Sequence, residues 1–455
     1  MRHGTSRRGF LKGSAALAGA TAFGLPTILR AAEVKGAWRK VNVAFVGAGG
    51  QAGADRDQLV NTGTCNVVAL CDVDAHRLAD AAKRHPGAKT YADYRKMLEQ
   101  KDIEAVVVST PDHHHFLASM MALRLGKHVY CQKPLTHSVW EARELAREAA
   151  RHKVATQMGT QGHATEGVRL LVEWLAAGVI GDVQEIHIWT DRPAGWWPQG
   201  VERPSGADPV PEGLDWDLWI GPAPMRPFKR DVYHPFKWRG WWDFGTGALG
   251  DIGCHALDWP WWALSLTAPS SVEAIQHGQT SETGPLWSDI TYQFPANGTR
   301  PGLKLTWYDG RNQETPKDSP QWKSMKMLHE LAELGDRPMP VGGQLYIGTK
   351  GKMLVQSAGP RLVPESRMAD FKRPEATLAR NPHGHYGEWL KACAEGTPTG
   401  SNFAYAGPLA EAVLLGNVAL RTGKRVEWDS TNLRITSDAA ANALLRREYR
   451  KGWEV

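Results

Sequence analysis

Val41-Asn-Val-Ala-Phe-Val46, running straight into Gly47-Ala-Gly-Gly-Gln-Ala-Gly53, is the stretch that decides the fold. The first six residues read as a short buried strand, and the glycine-rich run as a tight turn opening a helix at Gln51. Gly47 permits the turn, Gly49 lets backbone amides approach an anion, and Ala52 is small enough for the helix to pack on the strand. The unpaired N–H groups and the positive dipole end of that helix make an anion site. A second strand, residues 66–70, ends in Cys71-Asp72. Asp72 stands 25 positions after Gly47, near the spacing of a carboxylate that accepts hydrogen bonds from the ribose of a dinucleotide and repels a 2′-phosphate. NAD is the expected cofactor, and Arg77 nearby leaves room for NADP. The plainer reading of Asp72-Val-Asp74 is a turn that caps the next helix.

The alternation continues outward. Helices are expected over 75–84 and 94–100, a strand over 105–109, then Thr110-Pro-Asp-His-His-His115 and a helix over 116–125. A strand at 128–131 leads to Gln132-Lys133-Pro134, a helix over 139–152 and a strand over 154–158. This rhythm predicts an α/β Rossmann domain, a doubly wound parallel sheet, over residues 38–160, with ligands outside the carboxyl ends of its strands. Thr110, Pro111, Asp112, His115, Gln132 and Lys133 fall at such ends and join the cofactor candidates Gly47, Gly49, Gly50, Gln51, Ala52 and Asp72. Three consecutive histidines point in divergent directions, and no further ligand follows at metal spacing, so no metal is expected.

Beyond residue 161, strands are expected over 183–191, 272–278, 289–294, 303–308, 344–347 and 352–356, without the regular intervening helices of a parallel sheet. The stretch 196–247, rich in Trp, Pro and Gly, is too long for a plain connection. Helices are expected over 386–394 and 407–422. The chain holds 20 tryptophans, 11 of them between Trp189 and Trp262. Some must be core, but so dense a cluster suggests a wall of flat rings for the apolar face of a sugar.

A net charge of +6 over 455 residues, scattered and partly N-terminal, carries no nucleic-acid footprint. Ser6-Arg7-Arg8-Gly9-Phe10-Leu11-Lys12 before an apolar run at 15–29 resembles a twin-arginine export signal, so residues 1–32 are set aside from the fold. The twin-arginine export machinery is then a partner, and a periplasmic or otherwise exported location is expected. Five widely spaced cysteines, odd in number and without a C-x-x-C pair, argue against a disulfide framework.

Four blocks, Gly47–Gly53, Thr110–His115, Cys131-Gln-Lys-Pro134 and Gly250-Asp-Ile-Gly-Cys-His255, resemble the glucose–fructose oxidoreductase / inositol dehydrogenase (Gfo/Idh/MocA) family in order and separation. The resemblance implies a second, α+β domain over 161–455 with an open, mostly antiparallel sheet, final helices packing back on the first domain, and a homo-oligomer. It also implies a catalytic Lys133, Asp251 and His255, the last two sharing a helix face at i and i+4. His255 is then the proton acceptor, Lys133 the donor to a developing alkoxide, and Asp251 the orienting group. Gln132 departs from the family's usual Glu. Gln161, His163, Tyr233 and Trp238 join Lys133, Asp251 and His255 as substrate-contact candidates, with Gly162, Trp196, Trp197, His234 and Asp243 behind them.

The leading expectation is an oxidoreductase acting on a sugar or cyclic polyol with tightly bound NAD. The alternatives are an NAD-dependent glycoside hydrolase, which oxidises a ring carbon transiently before elimination, and a sugar-binding protein that keeps the cofactor structurally.

Overall fold

The computed structural model describes residues 38–310 and 318–454; the export-type segment lies outside the described residues. Strands and helices alternate first as β1 (Val41–Val46), α1 (Gln51–Asn61), β2 (Cys65–Cys71), α2 (Ala75–Arg84), β3 (Lys89–Tyr91) and α3 (Tyr94–Met97). They continue as β4 (Ala105–Val108), α4 (Asp112–Arg124), β5 (His128–Cys131), α5 (Val139–Arg151) and β6 (Thr156–Met158). Every neighbouring pair is parallel, in the order β3-β2-β1-β4-β5-β6. The order reverses at β1, so a crevice opens at the carboxyl ends of β1 and β4.

Local chemistry sets the boundaries. Asp74 caps α2 by accepting from the amides of His76 and Arg77, and Ser138 with Glu141 forms a capping box on α5. Helix α4 begins at Asp112 rather than near 116, directly after Pro111. Its first turn is polar yet buried, so its sequence hid the helix.

The second half contributes α6 (Glu166–Ala176), β7 (Val183–Trp189), α7 (Trp216–Ile220), α8 (Cys254–Ala263), β8 (Ser271–His277), β9 (Trp287–Phe294) and β10 (Leu303–Tyr308). Then come α9 (Pro320–Leu331), β11 (Gly343–Gly348), β12 (Gly351–Gln356), β13 (Gly359–Val363), α10 (Gly384–Glu395), α11 (Phe403–Thr422), β14 (Val426–Asp429) and β15 (Arg434–Ile435). The strand order is β13-β12-β11-β7-β10-β9-β8-β14-β15; β7 and β10 pair in parallel and every other neighbouring pair is antiparallel.

Helix α11 joins the two sheets. A Cβ at Gly407 would stand 2.7 Å from the Ala146 Cβ on α5, and one at Gly416 would stand 2.2 Å from the Tyr292 hydroxyl on β9. Leu409, Val413, Leu414 and Leu415 are buried along it, each stabilising the fold by about 1.5–3 kcal/mol. Helix α10 packs Trp389, Leu390 and Cys393 against Val41 and Val43 of β1.

The tryptophan-rich stretch differs from its sequence reading. Trp216, Trp219, Trp238 and Trp241 form a buried cluster with Tyr233 and Phe244, so most of these rings build a satellite core. Trp196 is the exception at 45% exposed. All five cysteines are buried free thiols.

Candidate active site

The crevice is a cleft of about 300 Å³ lined by Gly47, Gly49, Gly50, Gln51, Asp72, Thr110 and Pro111, with Trp219, His234, Phe236, Trp238 and Arg239 towards the second half. The glycine loop fits a dinucleotide diphosphate on three counts. A Cβ at Gly47 (φ +100) would lie 2.6 Å from the Ser109 carbonyl oxygen, so only glycine closes this turn. Gly50 has φ +55 and nothing within 4 Å of its Cβ direction, which leaves its face open. The N-terminus of α1 has no side-chain cap and no acidic residue in its first turn, so its amides and dipole remain for an anion. Asp72 accepts from the Ala48 amide at 2.8 Å and the Asp74 amide at 2.9 Å, so it shapes the loop as well as facing the cleft. Each carboxylate oxygen keeps a second lone pair for a ribose hydroxyl. Ala52 is buried against Gly47, a packing position rather than a lining one.

Beneath the loop lies Asp55, fully buried. Its carboxylate accepts from Gln51 Nε2 (2.8 Å), Ser109 Oγ (2.7 Å), Gln132 Nε2 (2.9 Å) and the Tyr386 hydroxyl (2.8 Å). Burial raises its pKa, against the lowering effect of those bonds. This explains the departure at position 132: a Glu there would set two carboxylates against each other, whereas the Gln amide donates. Gln132 thus acts beneath the loop. Gln161, half-buried, donates to the Tyr386 hydroxyl at 3.2 Å and the Tyr130 hydroxyl at 3.3 Å, and so belongs to the same network.

The next residue serves a second carboxylate. Lys133 Nζ lies 2.7 Å from Asp251 Oδ1. Arg192 Nη1 bonds Asp251 Oδ2, and Arg239 Nε lies 3.2 Å from Oδ1. Although burial opposes it, these three cations hold the Asp251 carboxyl well below the usual carboxylate range. Asp251 sits in a π-helical turn, Leu249–Gly253, that runs into α8 at Cys254, so the widened turn carries Asp251 and α8 carries His255. Such turns inside α-helices recur at functional sites. Burial, with the charges of Lys133 and Arg192, pushes the His255 imidazole down to about 3. Arg239 both lines the cleft and touches Asp251, and is the physical link between the cofactor crevice and this cluster.

Several expected contacts lie elsewhere. His115 is fully buried; its Nδ1 lies 2.6 Å from the Pro134 carbonyl and its Nε2 3.0 Å from the Thr110 carbonyl. Carbonyls only accept, so both ring nitrogens carry protons. Although burial opposes the charge, neighbours including Cys131 and Asp112 push this imidazole up to about 9. It clamps the loops that bear Thr110 and Lys133 from below and does not line the cleft. Asp112 is likewise buried, accepting from Thr246 Oγ1 at 2.6 Å. His163 is buried in a pair with Asp258 (2.9 Å) and stacked on Trp262. Tyr233 is 2% exposed inside the aromatic satellite core. Trp238 does line the cleft, with the Arg239 guanidinium 4.3 Å from its ring. Asp55, Tyr386, Arg192 and Arg239 went unread in the sequence. The two arginines sit in or beside a stretch without periodicity; only their aromatic neighbours, Trp196-Trp197 and Trp238, gave a signal.

Comparison with known proteins places this geometry. Residues 41–160 match the family model described as oxidoreductase family, NAD-binding Rossmann fold, and residues 182–315 match its C-terminal alpha/beta domain. An inositol 2-dehydrogenase/D-chiro-inositol 3-dehydrogenase of Lacticaseibacillus casei is 37% identical over 145 residues, 31% of this chain and 41% of that protein. Levoglucosan dehydrogenase of Pseudarthrobacter phenanthrenivorans is 24% identical over 190 residues, 42% of this chain and 40% of that protein. The aligned stretches thus span less than half the length of either relative. Among solved structures, the WlbA dehydrogenase from Bordetella pertussis in complex with NADH and UDP-GlcNAcA superposes with a TM-score of 0.60 at 15% identity, over 86% of this chain and 99% of that one. A levoglucosan dehydrogenase in complex with NADH gives 0.58 at 18% identity, over 86% and 99%. These likenesses show a common fold. The two matched segments together cover more than half of the 455 residues, and the chain belongs to the Gfo/Idh/MocA oxidoreductase family, its first domain being the family's NAD-binding Rossmann fold.

Proposed function

We propose that the protein oxidises a carbinol carbon of a sugar or cyclic polyol. The observation that carries this reading is the Lys133–Asp251 pair, with His255 one turn on along the same helical run, linked through Arg239 to the glycine-loop cleft. NAD, when bound, supplies the hydride acceptor. The amides of Gly49–Gln51 hold its diphosphate, Asp72 its ribose, and Thr110 and Pro111 flank it. Lys133 donates a hydrogen bond to the hydroxyl oxygen and stabilises the alkoxide that develops there. His255, neutral at physiological pH, takes the hydroxyl proton. Asp251 is a positioning residue, fixing the Lys133 ammonium through Oδ1. The test is to mix the purified protein, with no nucleotide added, with a panel of neutral and acidic sugars and cyclic polyols. Growth of the reduced-nicotinamide absorbance, abolished by Lys133→Met, supports the reading. No reduction across the panel, or equal reduction by the variant, contradicts it.

Export is part of the proposal. Its support is the Ser6–Lys12 sequence, and retention of an Arg7→Lys/Arg8→Lys variant in the cytoplasm is the expected result. Outside the cytoplasm a bound cofactor must be re-oxidised within each cycle. That favours either coupled oxidation and reduction of two sugars or glycoside cleavage through transient oxidation and elimination. Release of a chromogenic aglycone without net NADH assigns the second.

A further inference from the structure

We infer that the substrate is an anionic sugar or cyclic polyol, whose carboxylate or phosphate ester is seated between Arg192 and Arg239; the inference rests on the oxidation reading above. Lys133, Arg192 and Arg239 place three positive charges on the single carboxylate of Asp251. Asp243 is taken up by Arg226. Asp112 is buried and accepts from Thr246 Oγ1 at 2.6 Å. Among the described residues, then, Asp251 is the one ion-pair partner of both arginines.

The arginines are held as recognition groups. The Arg192 guanidinium lies 3.9 Å from the exposed Trp196 ring, and that of Arg239 lies 4.1 Å from Phe236 and 4.3 Å from Trp238. Arg239 is further held by its Nη1, which donates to the Phe236 carbonyl at 2.9 Å, so its Nη2 and the Arg192 Nη2 remain as donors to an anion. Phe236 meets Trp197 edge-on at 6.2 Å, so the two arginine-bearing arms converge. Trp196 and Phe236, 45% and 39% exposed, offer flat faces on which a pyranose ring stacks beside its charged substituent. The anion also serves the chemistry. Lys133 and Arg192 depress the basicity of His255, and a negative charge between the arginines opposes that effect.

The probes are D-glucuronate, D-glucose 6-phosphate and D-glucose, added to the full chain with its bound cofactor. Tryptophan fluorescence reads binding, and reduced-nicotinamide absorbance reads turnover. Wild type is expected to bind at least one anion at least about tenfold more tightly than glucose, and raised ionic strength is expected to weaken the anion alone. The uronate and the phosphate ester, read separately, distinguish the two sources of charge. Arg192→Met and Arg239→Met, each checked for a normal melting transition, are expected to bring the anion-to-glucose affinity ratio towards one. Glucose bound as tightly as both anions, or a ratio insensitive both to salt and to the two substitutions, overturns the inference. Anion binding that follows these expectations without reduction of the cofactor by any sugar refutes the oxidation reading instead.

Discussion

Asp55 and Asp251 are both buried, and adjacent residues of one loop serve them: Gln132 donates to the first and Lys133 to the second. Their charge states are pushed in opposite directions. Asp55 is surrounded by amides and hydroxyls, and desolvation raises its pKa. Asp251 is surrounded by an ammonium and two guanidiniums, and their charges overcome desolvation. Burial alone therefore does not say what a carboxylate does; the formal charge of its donors does. Asp55 ties the glycine loop, the Gln132 loop and α10 together. Asp251 holds cations in place beside the cleft.

The largest way to sharpen this contrast is Lys133→Met. Loss of the alkoxide donor is expected to lower kcat/KM by about a thousandfold, with the melting temperature close to wild type, in steady-state assays on the preferred sugar. Next is Gln132→Glu, which sets a second carboxylate against Asp55. It is expected to destabilise the fold by about 3 kcal/mol, and Asp55→Asn added to it is expected to recover most of that loss. A double variant no more stable than Gln132→Glu alone breaks the account of this site.

The two carboxylates also predict opposite pH dependences. The folded-state pKa of Asp251 is depressed, so its stabilisation is present above the unfolded value, about 4, and is lost as pH falls through the folded value. That of Asp55 is raised, so the folded state binds the extra proton, and stability falls as pH rises from about 4 through the raised value. Denaturant titrations of Asp251→Asn should therefore converge with wild type at acid pH. Those of Asp55→Asn should gain on wild type as pH rises. Parallel curves for the two variants contradict the assignment.

The smallest expected effect is for Tyr233→Phe. The ring lies in the satellite core, so kcat/KM should change by less than about twofold. A large rise in KM would return Tyr233 to the substrate site.

That residue also marks where the sequence stopped being legible. The strand-turn-helix at Val41–Gly53 was readable because its glycines meet backbone demands that few other sequences meet. Lys133, Asp251 and His255 came through resemblance, and the fold brings Lys133 onto Asp251 across the chain. The aromatic residues of 196–247 were ambiguous because a ring that packs in a core and one that faces a sugar have the same chemistry. Asp55 was invisible for a related reason. A polar residue in the first turns of a helix reads as solvent-facing until β4, β5 and α10 close over it. The π-helical turn at Leu249–Gly253 has no signature that composition or spacing reveals.

Asp251 is placed to work beside the reacting carbon, and Asp55 to anchor the cofactor loop. Single-turnover reduction of the bound nicotinamide, followed in Asp251→Asn and Asp55→Asn with one saturating sugar, tests this division most directly. Asp251→Asn is expected to slow the step by about a hundredfold or more, and Asp55→Asn to leave the step near wild type while loosening cofactor retention. Equal slowing in both variants, or slowing in Asp55→Asn alone, would contradict it.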